Sequence, residues 1–409
     1  MTLVGGAAFV VLAVLLVPWH PVPGGTPPPA PAGSVFTPSQ VARAEGYAHW
    51  ARLWSWSSLG VSLVVACVLG FTGWGRRLVE RLPGWWWVRV VAAVTLLAVI
   101  GRVVTLPFAV LLRRHVLDNG LSTQSWAGFA SDLVKNELVA IVATTIVLLV
   151  LVGCARRWPR AWPAVAGGLL GALVLAGSFV YPLVVEPLFN HFTPLPAGSL
   201  RTQVFALAAQ EHVQIGDVLV ADASRRTTTL NAYVSGFGDT RRVVLYDNLL
   251  NDVPRDQALS VVAHELAHAH HDDVLTGSLL GAAGAVLGAG LLGLLVGALG
   301  ERRGLTMADP AVVPLVLALV AIGTLLASPL QNAVSRQIET RADVDALEVT
   351  RDPAAFTAVQ RELALRSLAD PTPPALSQLW FGSHPTGLTR IAIARQLAAE
   401  GKAQQAQER

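Results

Sequence analysis

Seven apolar segments recur along the chain, and each meets or approaches the about 20 residues that a membrane-spanning helix needs. Five lie in the first half of the chain and two in the second half. Their bounds are 3–18, 53–74, 86–112, 138–154, 162–185, 274–299 and 311–330. This pattern predicts a mostly α, seven-span helical integral membrane protein.

The interval between the two groups differs in character. Residues 187–256 are rich in charges and turn signals, which is typical of an extramembrane domain. We therefore divide the chain into five transmembrane helices over residues 1–186, a small α+β extramembrane domain over 187–273, two further transmembrane helices over 274–335, and a C-terminal segment over 336–409.

Two features of the apolar segments leave alternatives open. Residues 30–32 resemble a signal-peptide cleavage site, but no basic region precedes the first segment, so we expect that segment to be retained. Arg102 lies within the third segment, where a charge is costly unless it faces protein or water. Pairing or snorkelling and the lining of a cavity are equally open interpretations of Arg102.

The composition agrees with a membrane protein and limits the partners and metal ligands that the chain can have. The 409 residues are 53% hydrophobic and 14% charged, against roughly 25% charged in ordinary soluble domains. The net charge of +3 is small and its arginines are scattered, which excludes a nucleic-acid partner. Only Cys67 and Cys154 occur, so a bound metal must use histidine and carboxylate ligands. Lysine occurs only at Lys135 and Lys402, a skew typical of GC-rich bacterial genomes.

One motif carries recognisable chemistry. His264 and His268 are four residues apart in a stretch with helical spacing of apolar positions, so both imidazoles can bind one zinc ion. Glu265 lies beside them and can accept a proton from a water that the metal acidifies to a pKa near ~7. The alternative is a helix with two solvated histidines. We interpret the following residues 270–273 as a solvated end turn.

A catalytic zinc needs a third protein ligand and an open fourth position. Glu339 is the candidate, with Asp343 on the same helix face, where it can hydrogen-bond a ligating histidine. By spacing alone, a charged surface face is an equally good interpretation of this pair.

Several separate blocks of the sequence are similar to one known family. They are residues 119–135, 187–195, 231–247, 264–268, 339–343 and 383–391. Over about residues 114–395 the chain resembles the Ste24-type CAAX prenyl proteases of peptidase family M48. The Gly and Trp that the family usually has around the second histidine are Ala267 and Ala269 here, which remodels the helix beyond the metal.

The resemblance implies roles for further residues. It implies that Glu339 is the third ligand of one zinc ion per chain and that Asp343 is a proton donor. It also implies that Asn231, His384 and Arg390 line the substrate or oxyanion side. The family encloses a water-filled chamber within its helices and places its catalytic domain in the cytosol. The positive-inside rule argues weakly for the reverse orientation, because the short loops at residues 76–81 and 156–160 are basic.

These observations predict a zinc metalloendopeptidase in a bacterial cell membrane. Its partners would be the lipid bilayer and a peptide or protein substrate, prenylated or otherwise membrane-anchored. One alternative is a general quality-control protease for membrane proteins, and another is an intramembrane protease with its motif inside a span. A multi-span transporter with a structural metal is a third alternative, and it predicts that Glu265→Gln leaves function intact.

Overall fold

The computed structural model describes residues 1–236, 238, 241–301 and 303–407. It is mostly helical, with one small sheet. The helices are α1 (Thr2–Leu16), α2 (Pro38–Phe71), α3 (Gly73–Glu80), α4 (Trp86–Asp118), α5 (Trp126–Arg157), α6 (Trp162–Val180), α7 (Ser199–Gln210), α8 (Asp247–Asp252), α9 (Arg255–His270), α10 (Asp273–Glu301), α11 (Val313–Thr350), α12 (Pro353–Ser367), α13 (Ala375–Phe381) and α14 (Gly387–Gln407). The strands are β1 (Phe192–Pro194), β2 (Asp217–Ala221), β3 (Ala232–Ser235) and β4 (Arg242–Tyr246).

All seven apolar segments are helical, but the span count of seven needs correction. Within the described residues, six helical segments are long and apolar enough to cross a membrane, and α1 is a shorter apolar helix of 15 residues. At 1.5 Å per residue α1 is about 22 Å long, less than the hydrocarbon thickness of about 30 Å. It packs closely against α10, since a Cβ on Gly5 would lie 2.5 Å from the backbone nitrogen of Leu287.

Several helices extend well beyond their apolar segments. Helix α2 begins at Pro38, because Thr37 and Gln40 form a capping box at its start. Helix α11 has 38 residues and is therefore about 57 Å long, so its polar second half projects beyond a bilayer of about 30 Å. That second half carries Glu339 and Asp343.

The long helices pack most tightly at one end of the bundle, which we call the distal end. There α2, α5 and α10 end while α4, α6 and α11 begin, and a buried core joins them that includes Val90, Val152 and Val312. Nearer the middle, a cavity of ≈ 330 Å³ opens between α2, α4, α5 and α11. Arg102 lines it and donates from Nε to Glu137 Oε2 at 2.6 Å, so it both pairs with a helix and faces a cavity.

The opposite end of the bundle carries the sheet, with the strand order β1-β2-β4-β3. Strands β2 and β4 are parallel, the other two pairs are antiparallel, and β3 is an edge strand. Helix α9 packs on this sheet through Val262 and Leu266, both 0% exposed, which contribute to the same core as Val243 and Leu245.

The segment between α1 and α2 is packed against the C-terminal helix. Ala30 and Phe36 are buried beside Leu388 and Ile391 of α14, and the Ala30 N–H donates to the Leu388 carbonyl at 3.1 Å. This Pro- and Gly-rich stretch is therefore held on α14. Its few apolar side chains are enough to fix it on α14.

Candidate metal centre

Helix α9 brings two imidazoles together. Asp256 in its first turn complements the helix dipole, and the apolar face packs on the sheet. His264 and His268 occupy another face, and their Nε2 atoms are 3.2 Å apart.

Helix α11 adds a carboxylate to this pair. Glu339 Oε2 lies 3.4 Å from His264 Nε2, and Glu339 Oε1 lies 3.7 Å from His268 Nε2. The three residues can each offer one ligand atom within 4.8 Å of the others. Tetrahedral zinc with bonds of 2.0–2.1 Å separates its ligand atoms by about 3.3 Å, close to these distances.

One buried oxygen tests whether these residues fit a metal. Glu339 Oε2 is buried, and among the described residues it makes no hydrogen bond of normal geometry, its nearest ionisable neighbour being His264 Nε2 at 3.4 Å. A buried carboxylate oxygen left in this way is costly unless a cation binds it. Two imidazole nitrogens and one carboxylate oxygen are also the donor set of many catalytic zinc sites. The residues present therefore fit a divalent metal ion.

The outer nitrogen of His264 is held by an ion pair. Its Nδ1 lies 3.0 Å from Asp343 Oδ1, and Arg390 donates from Nε to Asp343 Oδ2 at 2.8 Å and from a second nitrogen to Oδ1. Asp343 is 0% exposed. Without a bound cation, burial lowers the pKa of His264, but the carboxylates of Asp343 and Glu339 beside its two nitrogens outweigh burial and raise the pKa to about 10. The site therefore attracts positive charge.

The outer nitrogen of His268 is held in a similar way, by an aspartate and an arginine that were not among the site residues predicted from the sequence. Its Nδ1 lies 2.8 Å from Asp273 Oδ2, and Arg341 donates to Asp273 Oδ1. Our interpretation of residues 270–273 as a solvated end turn is therefore wrong for Asp273, which is buried. The chain reverses at Asp272, whose φ is +51°, and this turn directs Asp273 back toward α9. The sequence gives no signal for that backbone conformation.

Glu265 lies between the two histidines in the sequence, and their charges act on its carboxyl group. Burial raises the pKa of its carboxyl group, and the positive charge of His264 and His268 offsets part of that rise. A buried carboxylate with a raised pKa is suited to accept and return a proton.

The other two predicted residues lie at the rim of the centre. His384 Nε2 is 3.3 Å from Glu339 Oε1, its side chain is 60% exposed, and its Nδ1 is 2.9 Å from Ser383 Oγ. Asn231 is exposed and immediately precedes the edge strand β3, which packs against α9. The structure thus brings His384 into contact with Glu339, whereas it places Asn231 at the end of a neighbouring strand.

Comparison with known proteins adds independent findings. Residues 194–398 match the model of peptidase family M48, and residues 25–191 match the CAAX prenyl protease N-terminal model, described as five membrane helices. The chain is 28% identical over 375 residues to an uncharacterized metalloprotease, YhfN, of Bacillus subtilis. The aligned region covers 88% of this chain and 87% of that protein. A CAAX prenyl protease 1 homolog of Oryza sativa is 35% identical over 175 residues, which is 41% of this chain and 40% of that protein.

The fold has a solved counterpart. The crystal structure of S. mikatae Ste24p superposes with a TM-score of 0.77 at 18% identity, covering 96% of this chain and 97% of that chain. The similarity of fold therefore extends over the membrane helices as well as over the part of the chain that contains the sheet.

Proposed function

Because the chain belongs to peptidase family M48, we propose that it is a zinc metalloendopeptidase in which His264, His268 and Glu339 hold one zinc ion per chain. The chain is a multi-pass integral membrane metalloprotease, which sets aside the transporter and the intramembrane protease with its motif inside a span. The observation that carries the zinc proposal is the convergence of two imidazole nitrogens and one Glu339 oxygen, which lie within 4.8 Å of one another.

Glu265 is the proposed general base. A zinc ion in this site would supply Lewis acidity to a water molecule and to the substrate carbonyl. Glu265 would take a proton from the attacking water and deliver it to the leaving nitrogen, for which its raised pKa is suited. His384, exposed beside Glu339, is proposed to face the substrate and the developing oxyanion.

The proposed roles of Asp343 and Arg390 follow from their pairing. The family resemblance implies a proton donor at Asp343, whereas its complete burial in an ion pair with Arg390 supports the positioning of His264. Arg390 also lies 3.3 Å from His264 Nδ1. We propose that this pair fixes the orientation of the His264 ring, and that Arg390 contributes positive charge on the substrate side.

Strand β3 is the proposed substrate platform. It is an edge strand that packs against α9, and an extended peptide can pair with the free backbone groups of such an edge. Asn231 would then contact the substrate where the strand begins. We propose that residues 187–273 and 336–409 form one catalytic unit, with membrane helices in residues 1–186 and 274–335.

The substrates are proposed to be membrane-associated polypeptides cleaved near a C-terminus, as the CAAX prenyl protease names of the relatives suggest. The alternative is quality control of membrane proteins without any need for a prenyl group. Purified protein incubated with a farnesylated CAAX peptide and its unmodified counterpart distinguishes them. Faster cleavage of the farnesylated peptide supports CAAX processing, and equal cleavage supports quality control.

Two variants test the hydrolytic mechanism in the same assay. Glu265→Gln should lower the cleavage rate by about 10²–10⁴-fold, because it removes the base. Asp256→Asn, an exposed change on the same helix, should leave the rate unchanged. Equal cleavage by wild type and Glu265→Gln would overturn the mechanism.

We propose a bacterial cell membrane with the catalytic unit on the cytosolic side, following the family resemblance. The arginines at the distal end favour the reverse orientation. Single cysteines introduced at exposed Gln214 and exposed Arg160, in a background lacking Cys67 and Cys154, decide between them. Labelling of position 214 by an impermeant reagent added outside intact cells would contradict the cytosolic placement.

A further inference from the structure

The distal end of the bundle carries a strongly positive ring, which we call the arginine belt. Among the charged side chains that the structure describes there, eight are arginines and two, Glu80 and Asp309, are acidic. The arginines are Arg76, Arg77, Arg81, Arg89, Arg156, Arg157, Arg160 and Arg303. Four tryptophans of the same end are exposed, namely Trp74 at 62%, Trp85 at 77%, Trp87 at 47% and Trp158 at 43%. Exposed tryptophans beside arginines are typical of the membrane–water interface, where lipid headgroups lie.

Two residues of the arginine belt line a cavity of ≈ 220 Å³ between the end of α2, the start of α3 and the start of α11. Arg76 bonds Glu80 through Nε at 2.6 Å and the Arg303 carbonyl through one terminal nitrogen. Arg303 lies over the Phe71 ring at 6.0 Å and makes a long bond of 3.4 Å to the Gly70 carbonyl. Each guanidinium therefore keeps N–H groups without a protein acceptor among the described residues.

The rest of the cavity fits the surroundings of a lipid phosphate. Gly73 begins α3 and lines the cavity, so the N–H groups of the first turn other than that of Trp74, which donates to Thr72 Oγ1, add positive potential. Leu69, Pro314 and Leu315 form an apolar wall toward the membrane interior. Helix α3 is fixed against this wall, because a Cβ on Gly75 would lie 2.8 Å from Pro314 Cβ.

We propose that this cavity binds the phosphate of an anionic phospholipid through Arg76 and Arg303. Arginine forks match phosphate oxygens, and basic pockets between membrane helices are suited to anionic headgroups. The apolar wall and the neighbouring interfacial tryptophans favour a lipid over free phosphate. A bound lipid would bridge α2 and α3 to the start of α11, the helix that carries Glu339. The proposal is independent of the proposed peptidase function.

Lipid binding to the full-length protein in detergent tests this proposal by native mass spectrometry. Phosphatidylglycerol should bind more tightly than phosphatidylcholine with the same acyl chains, and inorganic phosphate at equal concentration should not displace it. The double variant Arg76→Gln/Arg303→Gln should bind phosphatidylglycerol about 25-fold more weakly, from about fivefold per arginine.

A matched control separates this site from general charge attraction. Arg43→Gln/Arg114→Gln removes two exposed arginines from the catalytic end and should leave phosphatidylglycerol binding unchanged. The proposal is overturned if both lipids bind wild type equally, if both double variants lose affinity equally, or if inorganic phosphate displaces the lipid. Because the first comparison uses only wild type, it remains decisive even where a variant folds poorly.

Discussion

The two imidazoles of the metal centre are each held by an aspartate that is paired with an arginine, yet the two pairs differ in origin and burial. Asp343 of α11 and Arg390 of α14 hold His264, and their side chains are 0% and 12% exposed. Asp273 at the start of α10 and Arg341 of α11 hold His268, with side chains 7% and 19% exposed. Each imidazole, with its aspartate and arginine, forms one half of the metal centre. Helix α11 contributes to both halves and also supplies Glu339.

The difference indicates an unequal division of tasks. The His264 half ties α9 to the C-terminal helix through a fully buried carboxylate, so it supports both the metal and the fold of the catalytic unit. The His268 half lies at the junction of α9 and α10, where the catalytic unit meets a membrane helix. We expect it to act mainly on the orientation of one imidazole.

The largest effect is expected from Asp343→Asn. This change leaves the Arg390 guanidinium buried without its counter-charge, which costs about 3–5 kcal/mol in the free energy of unfolding. Thermal unfolding of the purified protein should show a clear loss of stability, together with loss of zinc. The exposed change Glu348→Gln on the same helix should show neither. A stable, zinc-loaded Asp343→Asn protein would remove the distinction between the two halves.

A smaller and more selective effect is expected from Asp273→Asn. Loss of the carboxylate on His268 Nδ1 should weaken zinc binding about 10–100-fold, with less loss of stability than Asp343→Asn. Competition with a zinc chelator measures this affinity. The neighbouring change Asp272→Asn is the control, because the Asp272 side chain is 54% exposed and pairs with Arg241 instead. If both variants bind zinc equally well, Asp273 has no positioning role.

Arg341→Gln should have the smallest effect of the three. Among the contacts of the described residues, Arg341 reaches the metal centre through Asp273 alone, so its loss should weaken zinc binding by less than about tenfold. Combining it with Asp273→Asn should add little further loss, since both act on one hydrogen-bonded chain. Full additivity in the chelator competition would show that Arg341 acts elsewhere.

The two halves also differ in how far the sequence reveals them. Four-residue spacing places His264 with His268 and Glu339 with Asp343, because a helix repeats its face at that interval. Asp273 was not predicted as a site residue, because its contact with His268 depends on the left-handed backbone at Asp272. No local pattern of polar residues indicates that conformation. Its place in a run of four polar residues favoured a solvated turn.

The fold shows the same contrast between local and distant determinants. Apolar length predicted the positions of all seven apolar helices, and α1 fell short of a span because its helix ends at Leu16. The packing of residues 18–37 on α14 joins parts of the chain more than 350 residues apart, as in the Ala30 to Leu388 hydrogen bond. Hydrophobic periodicity is a local signal and carries no information about such pairings.

The metal content of purified protein tests the central claim most directly. Wild type and Glu348→Gln should each contain one zinc ion per chain by elemental mass spectrometry, because Glu348 is exposed and remote from the two imidazoles. Glu339→Gln should contain far less, since it replaces the charged oxygen ligand that faces both histidines. Full zinc content in Glu339→Gln would contradict the assignment of His264, His268 and Glu339 as the metal centre.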